Sequence, residues 1–203
     1  HHHFRKQNLP FAFKMFKYLH QNHGVNTFIM EFGRGVEWIV QKYVYEGDSV
    51  AKSIMDLGYY PEQVEQLEKL RDYYEEQKDK SPFKIVCVDI DRNWGSNMKA
   101  LDAIIPSGKS VPDSAVSVVE AIQALRDDYG DYYAKFDNEG TLVVDNIFKR
   151  ANTYGRAESI KRMLNDYDRN KETMQSYLGE NFDEFDRIIQ GLKVGVQWNE
   201  LVQ

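Results

Sequence analysis

The chain has 203 residues, 42% hydrophobic and 13% aromatic, which suffices for a packed core and excludes a disordered chain. Its net charge of -6, with basic residues as scattered as Arg71, Lys84, Lys109 and Arg162, excludes a nucleic-acid surface, which needs a basic patch to displace counterions from phosphate. The longest apolar runs, such as FKIVCV, fall far short of the ~20 residues that span a bilayer, so no membrane span is expected. Cys87 is the single cysteine, which excludes an intrachain disulfide and a thiolate metal cluster. The chain shows neither an initiator Met nor a signal-peptide pattern. The cytoplasm is the expected compartment, and the periplasm stays open because what precedes His1 is not visible.

From Asn8 to about Asn22, the residues Ala12, Met15, Phe16 and Leu19 repeat at helical spacing, and His23-Gly24 ends the helix. Val25 to Met30 reads as a buried strand that ends on Glu31. Gly33 and Gly35 then admit a tight turn into a second helix carrying Val36, Ile39, Val40 and Tyr43, closed by Gly47-Asp48. A short helix is expected over Ser49 to Leu57, and Tyr60-Pro61-Glu62 opens a longer one with Val64, Leu67, Leu70 and Tyr74 on one side. The run EEQKDK is its solvated end. Ser81-Pro82 breaks the chain before a second strand, Phe83 to Val88, followed by Asp89 and Asp91. Cys87, inside this apolar strand, is expected to be inert.

Strand, helices and strand in that order form a βαβ crossover, so the two strands are expected to be parallel, with Glu31 and Asp89 on one rim. Beyond Asn93, Ala115, Val118, Val119, Ile122 and Leu125 mark a helix, and helical patterns continue from about Asp145 to Gly191. Thr141 to Val144 is the one strand-like exception. The expected fold is α/β, a parallel sheet flanked by helices with a largely helical C-terminal half. Residues 1–110 form the α/β core with the site, and 111–203 a helical cap or layer of the same domain.

A carboxylate at the carboxyl end of such a strand stands where open α/β sheets place their ligand crevices. A neutral imidazole takes a proton from water near pH 7, and a neighbouring carboxylate fixes its tautomer and stabilises the imidazolium. His3 and Glu31 suit those two roles. The opening HHH also reads as a purification-tag remnant, although no linker separates it from the first helix. Glu31 has a second reading as an exposed strand-end acid or a cap for the next helix. Asp89 and Asp91 suit a substrate hydroxyl or a metal, or merely form a turn. Arg34 is a candidate substrate-binding residue, and its GRG setting lacks the pattern of a phosphate loop. His20 and His23 are expected to cap carbonyls or face solvent. Trp38, Trp94 and Trp198 are expected in the core and rim, and Arg126-Asp127-Asp128 at a solvated helix end.

A histidine before an amphipathic helix, a strand ending FIMEFG, a helix leading to KYVYEGD, a Tyr/Pro-initiated helix and a strand ending IVCVDID together resemble the erythromycin esterase-like family. That family belongs to a wider group with the haem-iron-binding ChaN proteins and the Tiki/TraB proteases. The resemblance covers about Phe4 to Arg92. It implies that His3 is the general base for water attacking a lactone ester, and it matches Glu31 and Asp89 to strand-end acids. The family's first strand with its Gly-Glu pair and a later histidine have no counterpart here, which implies a segment of a longer protein or an incomplete site.

The expected function is therefore hydrolysis of an ester or lactone, a small-molecule substrate, by His3 and Glu31, with Asp89 and Arg34 as substrate-binding residues. No cofactor is required, and a divalent metal remains open. The alternatives are a metal- or haem-binding protein or metalloprotease on the same scaffold, and a noncatalytic interaction module.

Overall fold

The computed structural model describes residues 8–58, 61–91, 94–133 and 150–201. His3 and the strand-like Thr141 to Val144 lie outside the described residues. The elements are α1 (Asn8–His23), β1 (Thr27–Met30), α2 (Arg34–Gln41) running on into a π-helical turn (Lys42–Glu46), α3 (Ser49–Gly58), α4 (Pro61–Gln77), β2 (Lys84–Cys87), α5 (Trp94–Ile104), α6 (Val116–Tyr133), α7 (Arg150–Arg169), α8 (Lys171–Leu178) and α9 (Phe182–Leu201). The chain is thus mostly helical, with a small parallel sheet. By contacts it divides into two units, His1–Phe32 with Val36–Asp89, and Gly33–Gly35 with Ile90–Gln203. The division falls at Asp89, and α5 belongs to the second unit.

In the first unit β1 and β2 pair in parallel, with Phe28 opposite Ile85 and Met30 opposite Cys87. Strand side chains alternate between faces, so Phe28, Met30, Ile85 and Cys87 share one face, and all four are buried. Phe16 of α1 packs on that face, its ring 5.0 Å from both Phe28 and Phe83. The other face departs from the expected buried strand, because Ile29 is 62% exposed and Val88 63%. An unbroken apolar run gives no alternation from which to tell a strand covered on one face from one covered on both.

The outer edge of β2 is closed by side chains. The Ile85 N–H donates to the Tyr45 hydroxyl at 2.6 Å, Gln41 donates to the Ile85 carbonyl at 2.7 Å, and the Cys87 N–H donates to Glu37. Three polar residues at intervals of four on one helix therefore satisfy the backbone that a third strand would otherwise pair. In a regular α-helix the third of them would stand about 80° around from the first. The π-helical turn has more residues per turn and keeps Tyr45 facing the strand. Burial pushes the Tyr45 phenol up to about 12, so it stays a neutral partner at ordinary pH.

Two devices end the π-helical turn. Gly47 is left-handed with φ 69°, and its N–H bonds back to the Tyr43 carbonyl at 2.9 Å. Arg71 of α4 donates to the carbonyls of Tyr43 and Val44 at 2.9 and 3.2 Å, so an orphaned helix end docks on the neighbouring helix.

The second unit is a helical assembly whose core includes Met98, Leu101, Ile122, Ile160, Tyr167 and Phe185, all fully buried. Helix α5 packs on α6 and α9, and α6 on α7. Asp186 ties three helices together, accepting from Tyr167 at 2.7 Å, Lys171 at 2.9 Å and Gln190 at 3.0 Å. Burial pushes its carboxyl upward, but these three bonds outweigh that and hold it below the usual carboxylate range. The expected solvated helix end at Arg126 is more engaged than predicted, since Arg126 reaches Asp102 of α5 at 2.5 Å.

Candidate functional site

Pairing continues past both strand ends. The Val88 N–H donates to the Met30 carbonyl at 3.1 Å and the Asp89 N–H to the Phe32 carbonyl at 2.9 Å. The chain segments carrying Glu31 and Asp89 therefore leave the sheet at one edge, within the first unit. Glu31 is exposed and Asp89 half-buried. Ionised carboxylates are pure acceptors, suited to holding a water, a substrate hydroxyl or a cationic partner.

Arg34 belongs by its contacts to the second unit. Its backbone N–H donates to Oδ2 of Asp91 at 3.1 Å. Its Cγ lies 3.2 Å from where a Cβ would stand on Gly191. Asp91 is itself buried, held by the N–H groups of Arg34 and Gly35 and by the Asn97 side chain. It serves the first turn of α2 as an acidic cap supplied by the segment after β2. This is neither the exposed ligand group nor the simple turn former that its place after a strand suggests.

Four glycines make room for Asp91 and for Asn97 beside it. A Cβ on Gly33 would stand 1.8 Å from Oδ1 of Asp91, and one on Gly191 2.1 Å from Oδ2. A Cβ on Gly195 would stand 2.3 Å from the Asp91 backbone oxygen, which also accepts from Trp94 Nε1 at 3.1 Å. On Gly35 it would stand 2.8 Å from Cα of Asn97. The spacing Gly191-x-x-x-Gly195 cuts a notch into α9 that receives Asp91.

Burial raises the Asp91 pKa, and the hydrogen bonds from Arg34, Asn97 and Gly35 offset it only in part. A carboxyl with a raised folded pKa binds its proton more tightly folded than unfolded, so its contribution to stability falls as pH rises from the ordinary carboxylate value through the raised one. Urea unfolding of wild type and Asp91→Asn across that window checks this. The wild-type advantage is expected to shrink as pH rises and to level off above it; an advantage that grows with pH contradicts the assignment.

His20 overturns its expected exposure. It is buried, with Nδ1 2.6 Å from the Tyr73 hydroxyl and Nε2 3.1 Å from Oγ of Ser81. It stacks on Phe16 and meets Phe83 edge-on. A hydroxyl, an imidazole and a third group in line have the outline of an activated nucleophile. Gln21 also bonds to the Tyr73 hydroxyl, so Gln21, Tyr73, His20 and Ser81 form one chain of bonds that satisfies a buried imidazole.

Comparisons with family models, with curated proteins and with solved structures give no match. The residues themselves carry the functional reading. Among the described residues no group of three His, Cys, Asp or Glu side chains is arranged to hold a metal ion, and no helix is long and apolar enough to cross a membrane. Cys87 is buried in β2 and forms no disulfide. Trp38 and Trp94 are core residues, in keeping with their expected place. The residues missed from sequence are Glu37, Gln41 and Tyr45, whose spacing of four along α2 and its π-helical turn is a readable signal. Gly191 and Gly195 are the other omission, also spaced by four.

Proposed function

We propose that the chain hydrolyses an ester or lactone at the rim where β1 and β2 end. The observation that supports this is the parallel register, which brings the segments of Glu31 and Asp89 out at one edge of the sheet. The role of His3 comes from the resemblance to the erythromycin esterase-like family. His3 takes the proton of a water molecule as the water oxygen attacks the acyl carbon, and Glu31 stabilises the imidazolium that forms. The same proton then passes to the departing alkoxide as the acyl–oxygen bond breaks. Asp89 accepts a hydrogen bond from a substrate hydroxyl.

The reading is tested with purified protein on a panel of chromogenic esters and lactones. Turnover above background that disappears in His3→Ala is expected. No turnover on any member, or equal turnover by His3→Ala, overturns the proposal.

A further inference from the structure

Helix α1 carries apolar residues on two sides. On the inner side Phe16 and His20 are buried, in ring contact with Phe28, Tyr73 and Phe83. On the outer side Phe11, Met15 and Tyr18 are spaced by four and then three residues, so they form one row about 10 Å long. They are 63%, 46% and 58% exposed. Met15, whose spacing with Ala12, Phe16 and Leu19 suggested the packed side, belongs to this outer row. Single exposed apolar residues are ordinary, but large ones in contiguous order mark a surface that meets a partner.

Charge identifies the partner. All 32 acidic residues of the chain come after Met30, whereas Arg5, Lys6, Lys14 and Lys17 precede it. Helix α1 therefore holds cations and no acid within a chain of net charge -6. Lys17 is half-buried, its Nζ 4.7 Å from the centre of the Tyr73 ring in α4. Lys14 is exposed and stands one turn from both Phe11 and Tyr18, so it borders the row. A second copy of the chain would set like charges against each other here, which disfavours self-association through α1.

From the row and its charge we infer that α1 rests on an anionic lipid bilayer, with Phe11, Met15 and Tyr18 at the boundary between headgroups and acyl chains. Lys14 then meets the lipid phosphates. A helix lying in the plane of the interface needs an apolar row inward and basic residues beside it, and both are in place. A projecting row enters a fluid interface directly, whereas a peptide partner has to be received in a groove or to supply one. Tyr18, an apolar ring with a polar tip, suits the headgroup level. The inference is independent of the hydrolase reading, because binding to vesicles involves no substrate.

Flotation of the full chain with phosphatidylcholine vesicles, with and without phosphatidylglycerol, tests it. The wild type is expected to float with the vesicles that contain phosphatidylglycerol and to bind phosphatidylcholine alone at least tenfold more weakly. Phe11→Ser combined with Met15→Ser, both at exposed positions, is expected to weaken binding at least tenfold with unchanged circular dichroism. Lys14→Gln is expected to weaken it about fivefold, the effect of one cation near an anionic surface. Lys84→Gln, an exposed lysine on the face of the sheet turned away from α1, is expected to change it less than about twofold, because charge far from the lipid is screened. A wild type that does not float at about 1 mM lipid, the weak end of specific affinity, overturns the inference. So does binding that the double variant leaves intact, or an equal loss in Lys14→Gln and Lys84→Gln. Capture on polyglutamate without binding to vesicles assigns the row to an acidic protein and overturns it as well.

Discussion

Glu31→Gln is expected to lower kcat/KM for ester hydrolysis by about 10²- to 10⁴-fold, the range over which a positioned proton-transfer apparatus accelerates such reactions. Gln keeps the shape of the side chain and loses only the charge. Glu31 is exposed and lies beyond the last residue of β1, so the substitution removes no buried group. Its effect on stability should stay within about 0.5 kcal/mol, as for other surface changes. The two measurements together make the result interpretable. A large fall in kcat with an unchanged thermal midpoint locates the loss in the transition state, since a carboxylate that stabilises an imidazolium acts when that cation forms. Asp89→Asn, which touches substrate binding alone in this scheme, should act mainly through KM. Unchanged kcat/KM in Glu31→Gln removes the acid from the mechanism.

The contrast between Glu31 and Asp91 shows what a sequence discloses about such a rim. Both are acids just beyond a strand, and nothing in their local sequence separates an exposed group from a buried cap. What separates them is tertiary: Asp91 lies among Gly33, Gly35, Gly191 and Gly195, which come from segments far apart in the chain. The parallel pairing of the strands was legible, because strand, helices and strand leave few other topologies. The core stripe of α2 was legible too, with Val36, Ile39, Val40 and Tyr43 all buried. The exposed face of β1 was not, because the continuous run Phe28-Ile29-Met30 carries no alternation.

His20 was misread for a related reason. Near a helix end an imidazole has several ordinary surface roles, and its burial depends on Tyr73 and Ser81, more than fifty residues away. Helix α5 was overlooked because its buried face includes Gly95, Ser96 and Asn97, small or polar residues that a hydrophobic stripe does not display. Gly191, where the helical pattern was expected to stop, lies inside α9. A glycine commonly marks a helix end, and here it makes space for a carboxylate instead.

That distinction can be measured, because helix propensity and the notch predict opposite signs for Gly195→Ala. In a helix interior alanine is better than glycine by roughly 0.5–1 kcal/mol, so propensity alone predicts a more stable protein. The notch predicts a loss. The new Cβ would stand 2.3 Å from the backbone oxygen of Asp91, and a backbone atom, unlike the tip of a long side chain, cannot rotate aside. Relief requires α9 or the Asp91 segment to shift, which strains the Trp94 bond to that oxygen and the cap on α2. Overpacking of this kind typically costs about 1–3 kcal/mol, which offsets the propensity gain and leaves an expected net destabilisation of roughly 1–2 kcal/mol. Val194→Ala, one residue away and exposed, should change stability by less than about 0.5 kcal/mol. Denaturant unfolding of the two variants decides the matter. A stabilised Gly195→Ala would mean that α9 does not approach Asp91 closely, whereas a loss confined to that variant ties the helix to the carboxylate that caps α2.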